Sequence, residues 1–395
     1  MLATQSFPFP YDWSRFPAAW FGGNATDWES SAQIDAIGRY SLAILGWQML
    51  IFSTDWTASI YAQLTQAALI KRAHPALPTF VYANFGGALG FDAATHEIML
   101  RNQYEQFFMQ STDGPEYSHS GCQQMGVPTS DRCMNYYWNF ANASAREFFL
   151  DKVVAPLAEA PFIDGVFFDG FDTAYTTPEW KPWGRPVVNV PNCSDKGGCE
   201  LLINGSLEVA AQTARLLNRH GKIPIYANPA SFANAEHKHI WLDERRLMRA
   251  LDGTSWMRYY EFLRAESSYS KGLLPNMLEE AKRGVPAGVH TYYHKTPPNG
   301  TREDPTSHMA AFLLARQEQW YYFGSTGWLD SDFVWSPLYD QAAECHKPLE
   351  PARTGTGPSA RVYTRRFEGC HVTLNCTVSD ACVGKIEWAT HREVK

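Results

Sequence analysis

The ten residues Ile163–Asp172, IDGVFFDGFD, constrain this chain more than any other stretch. A glycine enters an apolar, aromatic run that can only be a buried strand, and the run ends on Asp169, then Gly170, with a second acid, Asp172, just beyond. A carboxylate at the C-terminal end of a buried parallel strand stands where (β/α)8 barrel enzymes keep their chemistry.

Around this stretch, short apolar segments alternate with amphipathic ones at the tempo of βα units. Strands are expected at Ala18–Gly22, Leu42–Trp47, Thr79–Phe85, Gly165–Asp169, Ile223–Asn228, Ser255–Glu261, Ala287–Tyr293 and Trp320–Ser325. Helices are expected at Ser30–Tyr40, Thr57–Ala73, Ser144–Ala158, Glu200–His220, Ala233–Ala250, Ala265–Gly284 and Pro305–Gln319. Two of these helices end on cations followed by Gly221 and Gly284, the order that the helix dipole and a left-handed cap favour.

Eight such units imply an α/β fold, a parallel sheet closed into a (β/α)8 TIM barrel. A doubly wound open sheet is the rival, but it would bring a Gly-rich phosphate turn after its first strand, and the sequence has none. Two long excursions, Gly86–Asn142 and Thr173–Cys199, break the rhythm and read as loops forming the rim of a cleft. After a Pro/Gly/Thr linker, Lys347–Ser359, the segments Arg361–Phe367, His371–Cys376 and Gly384–Trp388 alternate like a small antiparallel β appendage. The expected division is a catalytic barrel over residues 1–345, with an N-terminal arm and long loops, and an appendage over 346–395 packed on it.

The eight cysteines fall in near pairs, Cys122 with Cys133, Cys193 with Cys199, and a C-terminal set in which Cys376 could bridge a hairpin to Cys382, leaving Cys345 for Cys370. Sequons at Asn24, Asn142, Asn192, Asn204, Asn299 and Asn375 agree with the cysteines in pointing to an oxidising compartment, so a secreted or lumenal glycoprotein is expected. No CxxC pair suggests a metal, and neither a metal nor another cofactor is expected. The start, MLATQSFPFPYDW, has no signal-peptide pattern, and the longest apolar run, Ser41–Phe52, is too short to span a bilayer, so no membrane partner is expected. A net charge of −7 without a Lys/Arg run argues against nucleic acid. Oligomeric state leaves no mark in the sequence.

Phe167 and Asp169 share a face by strand alternation, and if that face is the barrel axis, Asp169 is at the mouth and Asp172 in the loop above it. One or both of these acids could instead cap the next segment or pair with an arginine. A second acid, Glu261, closes the aromatic run SWMRYYE on the sixth strand, across the mouth from Asp169, unless it pairs with Arg258 or Arg264. Two carboxyl groups flanking a scissile bond are what glycoside hydrolysis needs. Other strand ends are aromatic or polar: Trp20, Trp47, Asn84, Asn228, Tyr259, His290 and Tyr292 are candidate contacts for sugar faces and hydroxyls. His290 and His294 with Asp169 match no metal-binding spacing, and there is no GxSxG elbow and no P-loop.

WFGG at Trp20–Gly23, LAILGW, YYWNFANASAREFF from Tyr136, IDGVFFDGFD and YYEF from Tyr259 together resemble the barrel proteins known as hypothetical glycoside hydrolase-like families. More remotely they resemble the clan of retaining α-galactosidases and α-glucosidases. The run Asn142–Phe148 is similar to the N-P-x-A-R-x-W/F helix start that precedes the nucleophile strand in that clan. The resemblance implies Asp169 at the nucleophile position and Glu261 near the acid/base position, although Glu replaces the Asp of the α-galactosidase pattern and the lysine-containing lead-in is missing. The expected function is a secreted glycosidase acting on an oligo- or polysaccharide. The rival is a barrel that binds carbohydrate without cleaving it.

Overall fold

The computed structural model describes residues 7–50, 58–111, 114–115, 117–118, 134–170, 188–190, 200–227, 244–262, 274–292, 295–296, 301–302, 304–357, 360–377 and 382–389. Eight strands form one sheet in chain order: β1 Ala19–Gly22, β2 Leu42–Leu45, β3 Thr79–Asn84, β4 Gly165–Asp169, β5 Ile223–Ala227, β6 Met257–Phe262, β7 Ala287–Tyr292 and β8 Trp320–Ser325. Their neighbours pair in parallel, as β3 with β4, β4 with β5 and β7 with β8. The first strand meets the last through a parallel bridge, Ala18 to Tyr322, with Tyr322 N donating to Pro17 O at 2.9 Å. The fold is a (β/α)8 barrel with a separate antiparallel sheet at its C-terminal end.

The chain divides into two packing units, one built on Gly23–Ile34 and Ile44–Arg258, the other on Phe7–Gly22, Asp35–Ala43 and Tyr259–Lys395. In the first unit, β4 is hemmed in by both neighbours at its start. Phe80 of β3 and Ile223 of β5 both pair with Gly165, and a Cβ there would stand 2.0 Å from Ile223 O and 2.5 Å from the Phe80 ring. Glycine is therefore the residue that lets the strand start where it does. The helix Glu200–Arg219 packs a wide apolar face inward and ends as its composition requires: Lys222 N reaches back to Leu217 O, and Gly221 takes φ 71°. Gly284, after the helix Leu274–Ala281, has φ 69° for the same reason.

Several stretches differ from the sequence reading. Within Gly86–Asn142, expected as loop, the chain forms a helix, Ala93–Arg101, and a three-stranded antiparallel sheet from Gly87–Leu89, Asn135–Tyr137 and Tyr117–Ser118. These strands are two or three residues long, too short for alternation to reveal. The helix before β4 runs from Ala143 but widens into a π-turn at Leu150–Val154 before Ala155–Glu159. A further helix, Pro337–Ala343, carries a legible start: Ser336 Oγ accepts from Leu338 N and Pro337 takes the first turn.

In the second unit the helix Thr306–Ala315 is apolar on every side, the mark of a helix covered all round. The C-terminal sheet covers part of it. That sheet has four strands, because the stretch read as linker contributes Arg353–Thr354 beside Val362–Arg366, Cys370–Asn375 and Val383–Trp388. Arg365 holds sheet to helix: its Nη1 donates to the carbonyls of Leu313, Leu314 and Arg316 at 3.1, 3.0 and 2.7 Å, groups a helix end leaves unsatisfied. Burial pulls its pKa down to about 10, still far above neutrality. Gly384 lets the last strand approach, since a Cβ there would meet Ser307 Cα at 2.6 Å. Cys345 is bonded to Cys370 and Cys376 to Cys382, whereas Cys122, Cys133, Cys193 and Cys199 lie outside the described residues.

Candidate active site

Parallel register assembles the site around Asp169. Tyr82 pairs with Phe167 and Asn84 with Asp169, so two neighbouring strands present matched rows at their C-terminal ends. The Tyr82 ring stacks on Phe167, centroids 6.0 Å apart, and its hydroxyl donates to Asp169 Oδ2 at 2.9 Å. Asn84 Nδ2 donates in turn to Tyr82 Oη at 3.1 Å. The other carboxyl oxygen, Oδ1, accepts from Gly170 N at 2.7 Å, a bond made as the chain turns off the strand through φ 63° at that glycine.

Asp169 is enclosed but keeps accessible surface. Burial raises its pKa, opposed by the hydroxyl of Tyr82 and the N–H of Gly170. Burial and the adjacent carboxylate hold the Tyr82 phenol well above its ordinary pKa, so it remains a donor throughout the working range. Among the described residues no cation pairs with Asp169. Its two donors orient the carboxylate and leave lone pairs on both oxygens.

Tyr82 was not singled out from the sequence. The available signal was alternation, which puts it on Asn84's face of TFVYAN. Its link to Asp169 depends on the β3–β4 register. Substituting Tyr82 by Phe removes the donor that favours the ionised carboxylate, so the Asp169 pKa rises and the acid limb of the pH–rate profile moves up. A hydrogen bond to a charged group is worth about 1.5–3 kcal/mol, or about one to two pH units. An unmoved acid limb would show that Asp169 is not the group whose ionisation the reaction needs.

Of the other expected contacts, Trp47 is half-buried and stacks on Phe91 at 6.3 Å. Asn84 is largely committed: its Oδ1 accepts from Gly87 N at 2.6 Å and its amide nitrogen donates to Tyr82. Trp20, Tyr259 and His290 are 0% exposed, so no ring face of theirs is offered to a sugar as the sequence reading expected. In the second unit Tyr259 and His290 belong to a ring cluster with Phe21, Phe323, Trp328 and Phe333. Ser325 spends its proton on Gly327 O at 2.8 Å, so it accepts from His290 Nε2 at 2.7 Å, and Nδ1 is left to accept from Tyr259 Oη at 2.5 Å. Burial pushes the His290 pKa down to about 3, making it a neutral strut. Asp172 and Asn228 lie outside the described residues, and of Glu261 and Tyr292 the backbone alone is described, within β6 and β7. No group of three His, Cys, Asp or Glu among the described residues is arranged to hold a metal ion.

The description "hypothetical glycosyl hydrolase family 15" belongs to the family model that matches residues 71–370, three-quarters of the chain. The chain belongs to this family. It is accordingly a glycosidase, with carbohydrate as its substrate class. Comparison with curated proteins finds no match. Among solved structures it is similar to an α-amylase from H. orenii, at 8% identity over 91% of this chain and 89% of that one, TM-score 0.49. A sucrose 6F-phosphate phosphorylase from Thermoanaerobacter thermosaccharolyticum matches at 7% identity over 98% and 97%, TM-score 0.49. The cyclic α-maltosyl-(1→6)-maltose hydrolase from Arthrobacter globiformis, in complex with maltose, matches at 12% identity over 98% and 96%, TM-score 0.46.

Proposed function

We propose that the chain is a secreted glycoside hydrolase that cleaves an oligo- or polysaccharide with two carboxyl groups, Asp169 as nucleophile or base and Glu261 as general acid. One observation carries this reading: the carboxyl of Asp169, ending β4, is oriented by Tyr82 and Gly170, unpaired by any described cation and partly accessible. Such a group is positioned for work at a developing positive centre, as at the anomeric carbon of an oxocarbenium-like transition state. Glu261 is supported by topology, being a residue of β6, two strands on from β4 in the sheet order. Trp47, Asn84, Asp172, Asn228 and Tyr292 are the proposed substrate contacts. Secretion is supported by the two disulfides of the tail and by the sequons. No helix of the described residues is long and apolar enough to cross a membrane.

The test is incubation with a panel of oligo- and polysaccharides, scoring new reducing ends. Wild type cleaves at least one member, and Glu261→Gln lowers that rate by about 10²–10⁴, the worth of a positioned general acid. A 4-nitrophenyl glycoside, whose leaving group needs no proton, is cleaved by Glu261→Gln with a much smaller loss. Equal losses on both substrates would remove Glu261 from the acid role. Binding without cleavage by wild type would instead support a carbohydrate-binding barrel.

A further inference from the structure

We propose that Asn375, on the outer face of the C-terminal sheet, carries an N-linked oligosaccharide whose first sugar lies over Val362 and Val383. The proposal rests on the secretion reading above and gives it a site. Four of the six sequons fall within the described residues, at Asn24, Asn142, Asn204 and Asn375. They differ in what their side chains already do.

Asn142 caps a helix: its Oδ1 accepts from Ser144 N at 3.0 Å, and its amide nitrogen, the atom that would bear a sugar, donates to Gln106 O at 2.9 Å. Asn204 lies within the helix Glu200–Arg219, where its Oδ1 accepts from Arg246 Nη2 at 2.7 Å and Ser206, the hydroxyl residue of its sequon, is sealed. Asn24 turns its Oδ1 to Thr26 N, Thr26 Oγ1 and Asp27 N at 3.0, 3.1 and 3.1 Å, but it follows β1 at the C-terminal end of the parallel strands. Asp169 stands at that end, and a glycan there would crowd the substrate's approach.

Asn375 ends the strand Cys370–Asn375, and its Oδ1 accepts from Thr377 N at 2.9 Å and Thr377 Oγ1 at 2.6 Å. Both bonds hold the carbonyl end of the amide against the chain, and among the described residues Nδ2 has no partner. Alternation sets the direction of the side chain: Val372 and Leu374 are buried, and His371, Thr373 and Asn375 lie on the opposite, half-buried face. Register supplies its neighbours. Asn375 stands directly opposite Val362 on one adjoining strand and Val383 on the other, so the three side chains share the outer face. Val383, on the strand at the end of the sheet order, is 64% exposed. Two valines beside an amide with a free nitrogen form an apolar seat for the C–H face of the first sugar ring.

The donor is an oligosaccharide on a polyisoprenyl diphosphate. Nδ2 attacks the sugar's C1; the N–C1 bond forms, the C1–O bond to the diphosphate breaks, the diphosphate leaves with the electron pair, and the nitrogen gives up one proton. In the folded chain Cys376, the middle residue of the sequon, is buried and bonded to Cys382, so transfer precedes that closure.

The site is tested on protein from its natural source, collected separately from medium and cells, digested, and treated with peptide N-glycosidase in heavy-oxygen water, which marks each asparagine that bore a glycan. The mark is expected at residue 375 on most molecules from the medium. Secreted protein unmarked there overturns the site alone; unmarked protein confined to the cytosol overturns the secretion reading with it. In a glycosylating host, Thr377→Ala loses one glycan's mass and Thr377→Ser, which keeps the sequon, does not; equal masses for both variants and wild type overturn the site. Melting temperatures read the seat. Thr377→Ala costs about 1–2 °C more in that host than in a bacterial periplasm, where only the turn is lost, and Val383→Ser removes the excess. No excess, or one that ignores Val383, overturns the seat.

Discussion

Replacing Asp169 by Asn abolishes most of the turnover while the protein still folds and melts as wild type. If Asp169 activates water as a base, the loss is about 10²–10⁴; if it attacks the anomeric carbon, the loss approaches about 10⁶, because no other group then forms the covalent bond. The fold tolerates the change because two terms oppose each other. The amide satisfies one of the two donors, Tyr82 Oη or Gly170 N, and leaves the other short of an acceptor, a cost of about 1 kcal/mol. Against this, an ionised group whose burial raises its pKa has been removed. Activity assays alongside a thermal melt check both halves, and full activity in the variant would end the assignment.

Gly165→Ala does the reverse, leaving every polar group of the site in place and destabilising the barrel wall. The new Cβ falls 2.0 Å from the carbonyl oxygen of Ile223 and 2.5 Å from the buried Phe80 ring. The ring can shift slightly, but the carbonyl is backbone in a strand paired to β4 at this residue, so β4 and β5 must separate there. Overpacking ordinarily costs about 1–3 kcal/mol, and a backbone obstacle places this case at or above the top of that range. A fall in melting temperature of about 3–5 °C is expected. An unchanged melt would mean that β4 does not begin between Phe80 and Ile223 as described.

These two residues bracket a strand whose limits were readable in advance. Gly165–Asp169 is bounded as its composition suggested, as is Trp320–Ser325. Of the other barrel strands, β6 begins two residues and ends one residue later than expected, and β2 ends two residues earlier. Eight such runs in a βα tempo suffice to specify a closed parallel sheet, because burial on both faces leaves an unmistakable apolar signal. Short strands in the stretch after β3 left no such signal. The strand Arg353–Thr354 likewise exists only because Thr364 and Tyr363 lie opposite to pair with it.

Strand ends were read more generously than the structure warrants. Trp20, Tyr259 and His290 are aromatic or polar and end-of-strand, yet all three are sealed. For the latter two, Trp328 and Phe333, which follow β8, complete the cluster around His290. Residue type carries no information on whether a later segment closes over a position, so rim and core look alike in one dimension.

By itself the amino-acid order determined the barrel, the place of Asp169 at the end of its fourth strand, and the class of chemistry an acid there can do, because these follow from apolar periodicity and chain order. Only tertiary structure decided the company that acid keeps. Tyr82 reaches Asp169 through the register of two strands more than 80 residues apart. Hydrogen bonds and fields act over a few ångströms of space, and sequence distance does not measure that space.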